Sequence, residues 1–476
     1  MSVINLWDNS WHIEKDTERP NDIDSFGREP RDLIKTDSDV DALINLSSKT
    51  IGELLLSEKE SVIIFPNSFI EGNDELKKQR IFQVDARSGK LVIYTNNVVG
   101  FIGYGETDVR IHSRFSRHSE VNDYLLYYML ERVLSINFFN MPTSASNNES
   151  IFDLLLFFFP KLLKGALSQG LFKKYVSHEY NDANLRGVID MNRHIKRNIP
   201  TNGRIAYQTR EFSYDNPMTQ LVRHTIEYIR RKPFGKAVLH NDTDTDAYVK
   251  QIIQATPTFI AQHLQSVIND NLRPVIHPYY TEYGPLQKLC LSILRHDKLG
   301  FDQSHNENKI HGILIDVAWL WEKYIASVLN NTTGLRHYTR NTPFDLFSKG
   351  KNQKIIPDYF DEDKHLVADA KYIPLNKYNH LDAERASAVY YKTIMYMYRF
   401  RSQRGFLFHP CLNDNQDFVF CDNEIMGGAG GHLYELGLVV PSVDENLTPT
   451  IRYSQFKKEM AKRETAFVNK VVELST

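Results

Sequence analysis

Two aspartates and a lysine have the types and spacing to do chemistry: Asp358, Asp369 and Lys371, in the segment IIPDYFDEDKHLVADAKY from Ile355 to Tyr372. Leu366 to Tyr372 is short, mostly apolar and partly alternating, the pattern of a strand. A side-chain period of two puts Asp369 and Lys371 on one face and Ala370 on the other. Ile355 to Tyr359, turned back through Asp361, Glu362, Asp363 and Lys364, makes a hairpin that brings Asp358 beside them. Two carboxylates and an ammonium that converge in this way suit metal-assisted phosphodiester hydrolysis. The carboxylates hold Mg²⁺, the metal activates a water, and the lysine offsets the charge that grows on the phosphorane.

The spacing P-D-x10-D-x-K matches the loose PD-(D/E)xK nuclease signature. A surface hairpin that ends in an ordinary Asp and Lys explains the trio as well. A further carboxylate favours the site. His311 to Leu329 (HGILIDVAWLWEKYIASVL) has apolar residues at helical spacing, and Glu322 lies on the flank of that stripe. Ala318 and Ala326 stand four residues either side of Glu322, so it lacks an ion-pair partner along the helix. Glu322 is therefore expected to complete a metal site with Asp358 and Asp369.

These residues need elements to position them. Short runs at Ser61–Phe65, Arg80–Val84, Lys90–Tyr94, Val98–Ile102 and Asp108–Ile111, punctuated by glycines, predict a mostly β N-terminal domain. Residues 1 to 45 are polar and acidic and read as an irregular arm. Val121–Leu134 and Ile151–Ser168 read as helices, the second interrupted by Pro160, with a polar loop, MPTSASNNES, before it. Met218–Ile229 reads as a helix capped by Asp215 or Asn216 with Pro217 at its first position. Ala383–Phe400 is a further helix, and Gly405–Pro410 and His432–Val440 are strands. The expected fold is multidomain α+β: residues 1–115 a β-rich domain with its acidic arm, 116–284 a mainly helical, basic region, and 285–476 a C-terminal α/β core of the PD-(D/E)xK restriction-endonuclease type.

The chain has 476 residues, 42% of them apolar, and a formal net charge of only -2. The charge is unevenly spread. Residues 1–60 hold 14 acidic and 7 basic side chains, whereas 161–236 hold 15 basic and 6 acidic ones. Within the basic part, FKKYVSHEYNDANLRGVIDMNRHIKRNIPTNGRIAYQTR interleaves cations with tyrosines and histidines. Arg186, Arg193, Lys196, Arg197 and Arg204 are candidates for DNA phosphate contacts, with a solvated charged face as the alternative. Cys290, Cys411 and Cys421 lack metal-site spacing and read as reduced thiols. The N terminus lacks a secretory pattern, and the apolar run Leu154–Phe159 is too short to span a bilayer. A cytoplasmic protein is expected. Gly427, Gly428, Gly430 and Gly431 lack the Lys and Ser or Thr of a phosphate-binding loop, so a nucleotide-binding site is not expected in the chain.

The layout resembles McrC, the nuclease subunit of McrBC-type restriction systems. The resemblance is carried by VVGFIGYG with the following VRIHSRF, by YVSHEYNDANLRGVIDMNRHIKRNI with REFSYDNPMTQLVRHTI, by WLWEKYI, and by PDYF with DAKY, in that order over roughly residues 90 to 400. It implies an Mg²⁺-dependent DNA endonuclease subunit that cuts double-stranded DNA and activates a partner, a McrB-like hexameric AAA+ GTPase that binds the GTP and selects 5-methylcytosine sites. Asp358, Asp369 and Lys371 would be catalytic, with Glu322 in support. A glutamine common in the family on the helix after the DAK strand is replaced here by Lys392, which can reach a phosphate only as a point charge. An adaptor that activates the AAA+ partner and a stand-alone DNA repair nuclease are the alternatives. The second lacks a helix-turn-helix or zinc pattern to read a target.

Overall fold

The apolar run after residue 309 splits into two elements. In the computed structural model Ile310–Asp316 is a strand and Val317–Leu329 a helix; a single helix was expected from His311. A continuous apolar run serves a strand covered on both faces as well as a buried helix. The strand lies between Val98–Tyr104, which it pairs antiparallel, and Val62–Phe65, which it pairs parallel. Thr107–His112 and Ser2–Trp7 complete this five-stranded sheet on the Val98–Tyr104 side. Leu6, Leu46, Ile64, Ile102, Val109 and Leu314 share one core with the helices Asp37–Ser48 and Ile51–Ser57.

The structure describes residues 2–13, 36–57, 62–66, 74–87, 90–116, 123–134, 148–240, 242–298, 310–329, 332–338, 343–373, 380–412, 416–428, 430–443 and 449–476. Most of the expected acidic arm and of the MPTSASNNES loop lies outside them. The first residues of that arm are ordered: Ser2–Trp7 and Trp11–Ile13 are strands, and the buried Asp8 pairs with Arg114 at 3.0 Å. Burial pushes the Asp8 carboxyl up to about 6 against the pull of Arg114.

Two compact units result, one of Met1–Ile151 with His305–Thr476 and the other of Phe152–Ser304. The first also holds a six-stranded sheet in the order Arg336–His337, Tyr359–Asp361, Leu366–Ala370, Arg404–Cys411, His432–Val439 and Phe418–Glu424. Its central strands are parallel and its two ends antiparallel. The helix His380–Phe400 covers one face, where Tyr396, Met397 and Phe400 meet Phe360, Val367, Leu407 and Leu433. The glycine cluster forms the turn before His432, with positive φ at Gly427, Gly428, Gly430 and Gly431.

The second unit contains an antiparallel sheet, Val188–Ile189, Ile205–Ser213 and Lys174–Asp182. Met191–Asn198 packs on it, and Pro217–Arg231 packs with Thr243–Ala255 and Tyr283–Lys298. Asn216 caps Pro217–Arg231 by accepting from the N–H groups of Met218 and Thr219. Among the described residues the longest helices include Asn148–Ser168, which carries Pro160 inside it, and none is long and apolar enough to cross a membrane.

The expected fold class is therefore corrected. The N-terminal part is a mixture of helices and strands whose sheet borrows a strand from beyond residue 309, and the basic middle region is built on a sheet as well as helices. Mixed α/β describes the whole chain. Composition located the strands of the N-terminal part but could not show which later segment they pair with.

Gly100 tests the pairing. Its φ is +142°, and a Cβ there would lie 2.1 Å from the carbonyl oxygen of Ile313. Gly100→Ala is expected to separate these strands and lower stability by about 2 kcal/mol or more. Urea unfolding with an unchanged midpoint would show that the contact does not constrain the sheet.

Candidate functional site

The hairpin predicted around Asp358 is present. Tyr359–Asp361 pairs antiparallel with Leu366–Ala370, and the Asp361 carboxylate accepts from the N–H groups of Asp363 and Lys364 in the turn. Asp358 stands just before the first strand and accepts from the Ala370 N–H at 2.8 Å, which pins it to the second. Val367, Asp369 and Lys371 share a face, as the period of two requires. The Lys371 N–H donates to the carbonyl of Phe408 at 2.8 Å, which holds the strand end to the next strand.

Lys371 Nζ lies 2.5 Å from Asp369 Oδ2 and 3.8 Å from Asp358 Oδ2. Lys392, on the helix His380–Phe400, comes within 3.9 Å of Asp369 Oδ1. Glu322 is positioned by the packing of its helix: Trp321 is buried and donates from Nε1 to the Phe408 carbonyl at 3.2 Å. The Glu322 carboxylate is engaged elsewhere, 2.6 Å from His337 Nε2 and 3.5 Å from Lys323 Nζ. The Tyr359 hydroxyl donates to the Glu322 carbonyl at 2.5 Å. Tyr372 is tied to the N-terminal strands, since Arg114 lies 4.2 Å over its ring and Ser113 Oγ is 3.3 Å from its hydroxyl.

The protonation states follow from burial and neighbours. Burial raises Asp358 well above the usual carboxylate range, and the charge of Asp369 raises it further. Burial would raise Asp369 too, but Lys371 and Lys392 overcome it and hold that carboxylate at about 2. Lys371 is raised, because Asp369 and Asp358 outweigh its own burial. Glu322 is lowered against its burial by the hydrogen bond from His337 and by Lys323. The centre thus sets a carboxyl whose charged form is disfavoured beside a carboxylate and an ammonium. Its Lys371 ammonium, between Asp369 and Asp358, can face an approaching anionic group.

This arrangement does not fit the expected metal. Asp369 is neutralised by Lys371, Glu322 faces His337, and burial beside Asp369 disfavours the charged form of Asp358. Among the described residues no group of three His, Cys, Asp or Glu side chains could hold a metal ion. The expectations of Mg²⁺ as cofactor, of an Mg²⁺-dependent endonuclease and of a PD-(D/E)xK core built on Asp358, Asp369 and Glu322 are corrected on that ground. The strand and hairpin were legible in the segment; the partners of Glu322 were not. His337 and Lys323 carry no spacing signal that ties them to Glu322, and the search for an i,i+4 partner looked only along the helix.

The basic candidates lie on the sheet of the second unit. Arg193 is largely buried and donates from Nη2 to the carbonyls of Tyr180 at 3.0 Å and Tyr207 at 2.7 Å, while also pairing with Glu179. It anchors the helix Met191–Asn198 to the sheet. Lys196 and Arg197, in the last turn of that helix, and Arg204, just before the strand Ile205–Ser213, are exposed. Arg186 is exposed, donates from Nε to the Tyr207 hydroxyl at 3.1 Å and pairs with Asp182.

The family model of the "McrBC 5-methylcytosine restriction system component" matches residues 93–410. The chain belongs to this family. Two solved structures from Thermococcus gammatolerans are similar to the McrBC-family chain. One, a half-complex from an assembly of McrB AAA+ hexamers with bound McrC, is 16% identical with a TM-score of 0.47, covering 97% of this chain and 100% of the other. The other, an McrBC complex, is 17% identical with a TM-score of 0.30, covering 69% and 88%. No curated protein matches. The family shown is a component of the system, without the narrower McrC assignment. The expectation of an McrC nuclease subunit acting on a separate McrB-like AAA+ GTPase is corrected to membership of the family. The adaptor and repair-nuclease alternatives are set aside with it.

Removing the ammonium tests the charge balance. Lys371→Met leaves the buried Asp369 carboxylate without its nearest cation and is expected to cost about 3–5 kcal/mol at pH 7. Asp369 is depressed in the folded protein, so its contribution is present above the unfolded value of about 4 and is lost as pH falls through about 2. The orphaned carboxylate of the variant would take up a proton more readily, so the deficit should shrink between pH 7 and pH 4. Denaturant titrations with equal deficits at both values would refute this account.

Proposed function

We propose that this McrBC-family chain contacts DNA phosphates within a 5-methylcytosine restriction system through the cationic part of its three-stranded sheet and the helix Met191–Asn198. The observation that carries the reading is the division of labour among the basic side chains. Arg193 fastens the helix to the sheet, and Lys196, Arg197 and Arg204 stand exposed around it. Cations on a fixed scaffold neutralise phosphates without reading bases. The excess of 15 basic over 6 acidic residues in 161–236 supports the same reading. Arg186 belongs to the surface with its charge shared with Asp182, and Lys392 to the other unit's polar centre. That centre, with Asp358, Asp369, Lys371 and Glu322, is part of the proposal as a site where the Lys371 ammonium can donate to an anionic group.

Fluorescence anisotropy with methylated and unmethylated duplexes over a range of salt tests the phosphate contacts. Replacing Lys196, Arg197 and Arg204 together by Ala is expected to weaken both duplexes equally and to reduce the slope of log affinity against log salt by about 2–3. An unchanged slope would place the DNA surface elsewhere.

A further inference from the structure

One face of the same sheet carries an arrangement that phosphate contacts leave unexplained. The register pairs Tyr175 with Phe212 across the strands Lys174–Asp182 and Ile205–Ser213. Their ring centroids are 5.0 Å apart at 40°, yet the residues are 58% and 54% exposed. Further along the same face the helix Met191–Asn198 covers the sheet, through Asn198 donating to Asn181 at 2.8 Å and Arg193 pairing with Glu179. The aromatic pair lies beyond that cover.

Cations rim the pair. The Arg210 guanidinium lies 5.2 Å over the Tyr175 ring, and Lys173 Nζ lies 5.3 Å over Phe212 and 4.3 Å over Tyr214. The acids of these strands are directed elsewhere. Glu179 is engaged by Arg193, and Glu211, on the opposite face opposite Val176, accepts from Tyr180 and Thr209. A cross-strand aromatic pair alone would stabilise the sheet, but it would not need to be half exposed with Lys173 and Arg210 at its rim.

We propose that Tyr175 and Phe212 form a stacking platform for unpaired nucleobases, with Lys173 and Arg210 placed for the adjoining phosphates. This deepens the nucleic-acid reading above and rests on it. Every base has a π-face, so stacking on such rings tolerates any sequence. A paired duplex hides those faces, so the ligand is a single strand or an unstacked base. Charge complementarity selects this occupant over a protein surface, since flat aromatic rings flanked by cations match alternating bases and phosphates.

The full chain is titrated with fluorescein-labelled oligothymidylate, with an abasic oligomer of equal length and with a duplex. Oligothymidylate is expected to bind more tightly than the abasic oligomer. The double variant Tyr175→Ala and Phe212→Ala should weaken oligothymidylate by about tenfold or more. It should leave the abasic oligomer and the salt slope unchanged. A second pair, Tyr175→Leu and Phe212→Leu, keeps apolar bulk on the sheet and should show the same loss, whereas Tyr175→Phe should retain binding. Equal affinity of the wild type for both single strands, or no loss in the Leu pair, would overturn the platform. Duplex binding that still depends on Lys196, Arg197 and Arg204 would in that case leave the phosphate reading standing. Absence of binding to all three probes would overturn both.

Discussion

A carboxylate that is completely removed from water stays ionised only if a cation is delivered to it. Asp369 is 0% exposed, and much of its unit is arranged to meet that requirement. Strand alternation places Lys371 on the same face, the bond from the Lys371 N–H to Phe408 fixes the strand end, and the helix His380–Phe400 brings Lys392 over it. Burial and the neighbouring Asp369 charge then raise Asp358, because two adjacent buried charges of one sign repel. One ion pair thus sets the state of its neighbours. An isolated buried charge would cost far more than the pair returns, so the elements that deliver the lysines are constrained by Asp369 rather than the reverse.

The same centre shows what can be read from a chain and what cannot. Alternation and turn residues are local, and they located the hairpin and the common face of Asp369 and Lys371. The side chain that a carboxylate faces is decided by tertiary packing. Glu322 turns to His337, which arrives on a short strand fifteen residues later with no periodicity to announce it. The apolar run at Ile310–Asp316 failed differently. Its side chains are covered on both faces, so the run lacks the alternation that separates a half-buried strand from a helix. Asp316, which ends the strand and accepts from the Trp319 N–H at 3.0 Å, was the local mark of the helix start.

In the basic unit, charge composition found the region but treated its cations as equivalent. Arg193 and Lys196 lie three residues apart on one short helix, yet one binds two backbone carbonyls inside the unit and the other stands in solvent. Guanidinium suits the first role because its planar set of donors can serve several acceptors at once. The aromatic residues interleaved with these cations divide as well. Tyr207 is buried and stacked on Tyr180, whereas Tyr175 and Phe212 remain open on the uncovered part of the other face.

The strand Ile310–Asp316 lies inside its sheet, with Val98–Tyr104 on one side and Val62–Phe65 on the other. During synthesis, the ribosome emits Val62–Phe65 and Val98–Tyr104 long before the segment that joins them. Residues Phe152–Ser304, all made in the interval, form a compact unit of their own. The later-encoded unit can therefore complete its core first, while the N-terminal strands wait with an unfilled position between them. An open strand edge is an invitation to mispairing, and in this chain order the early β segments keep that edge until residue 316 has emerged.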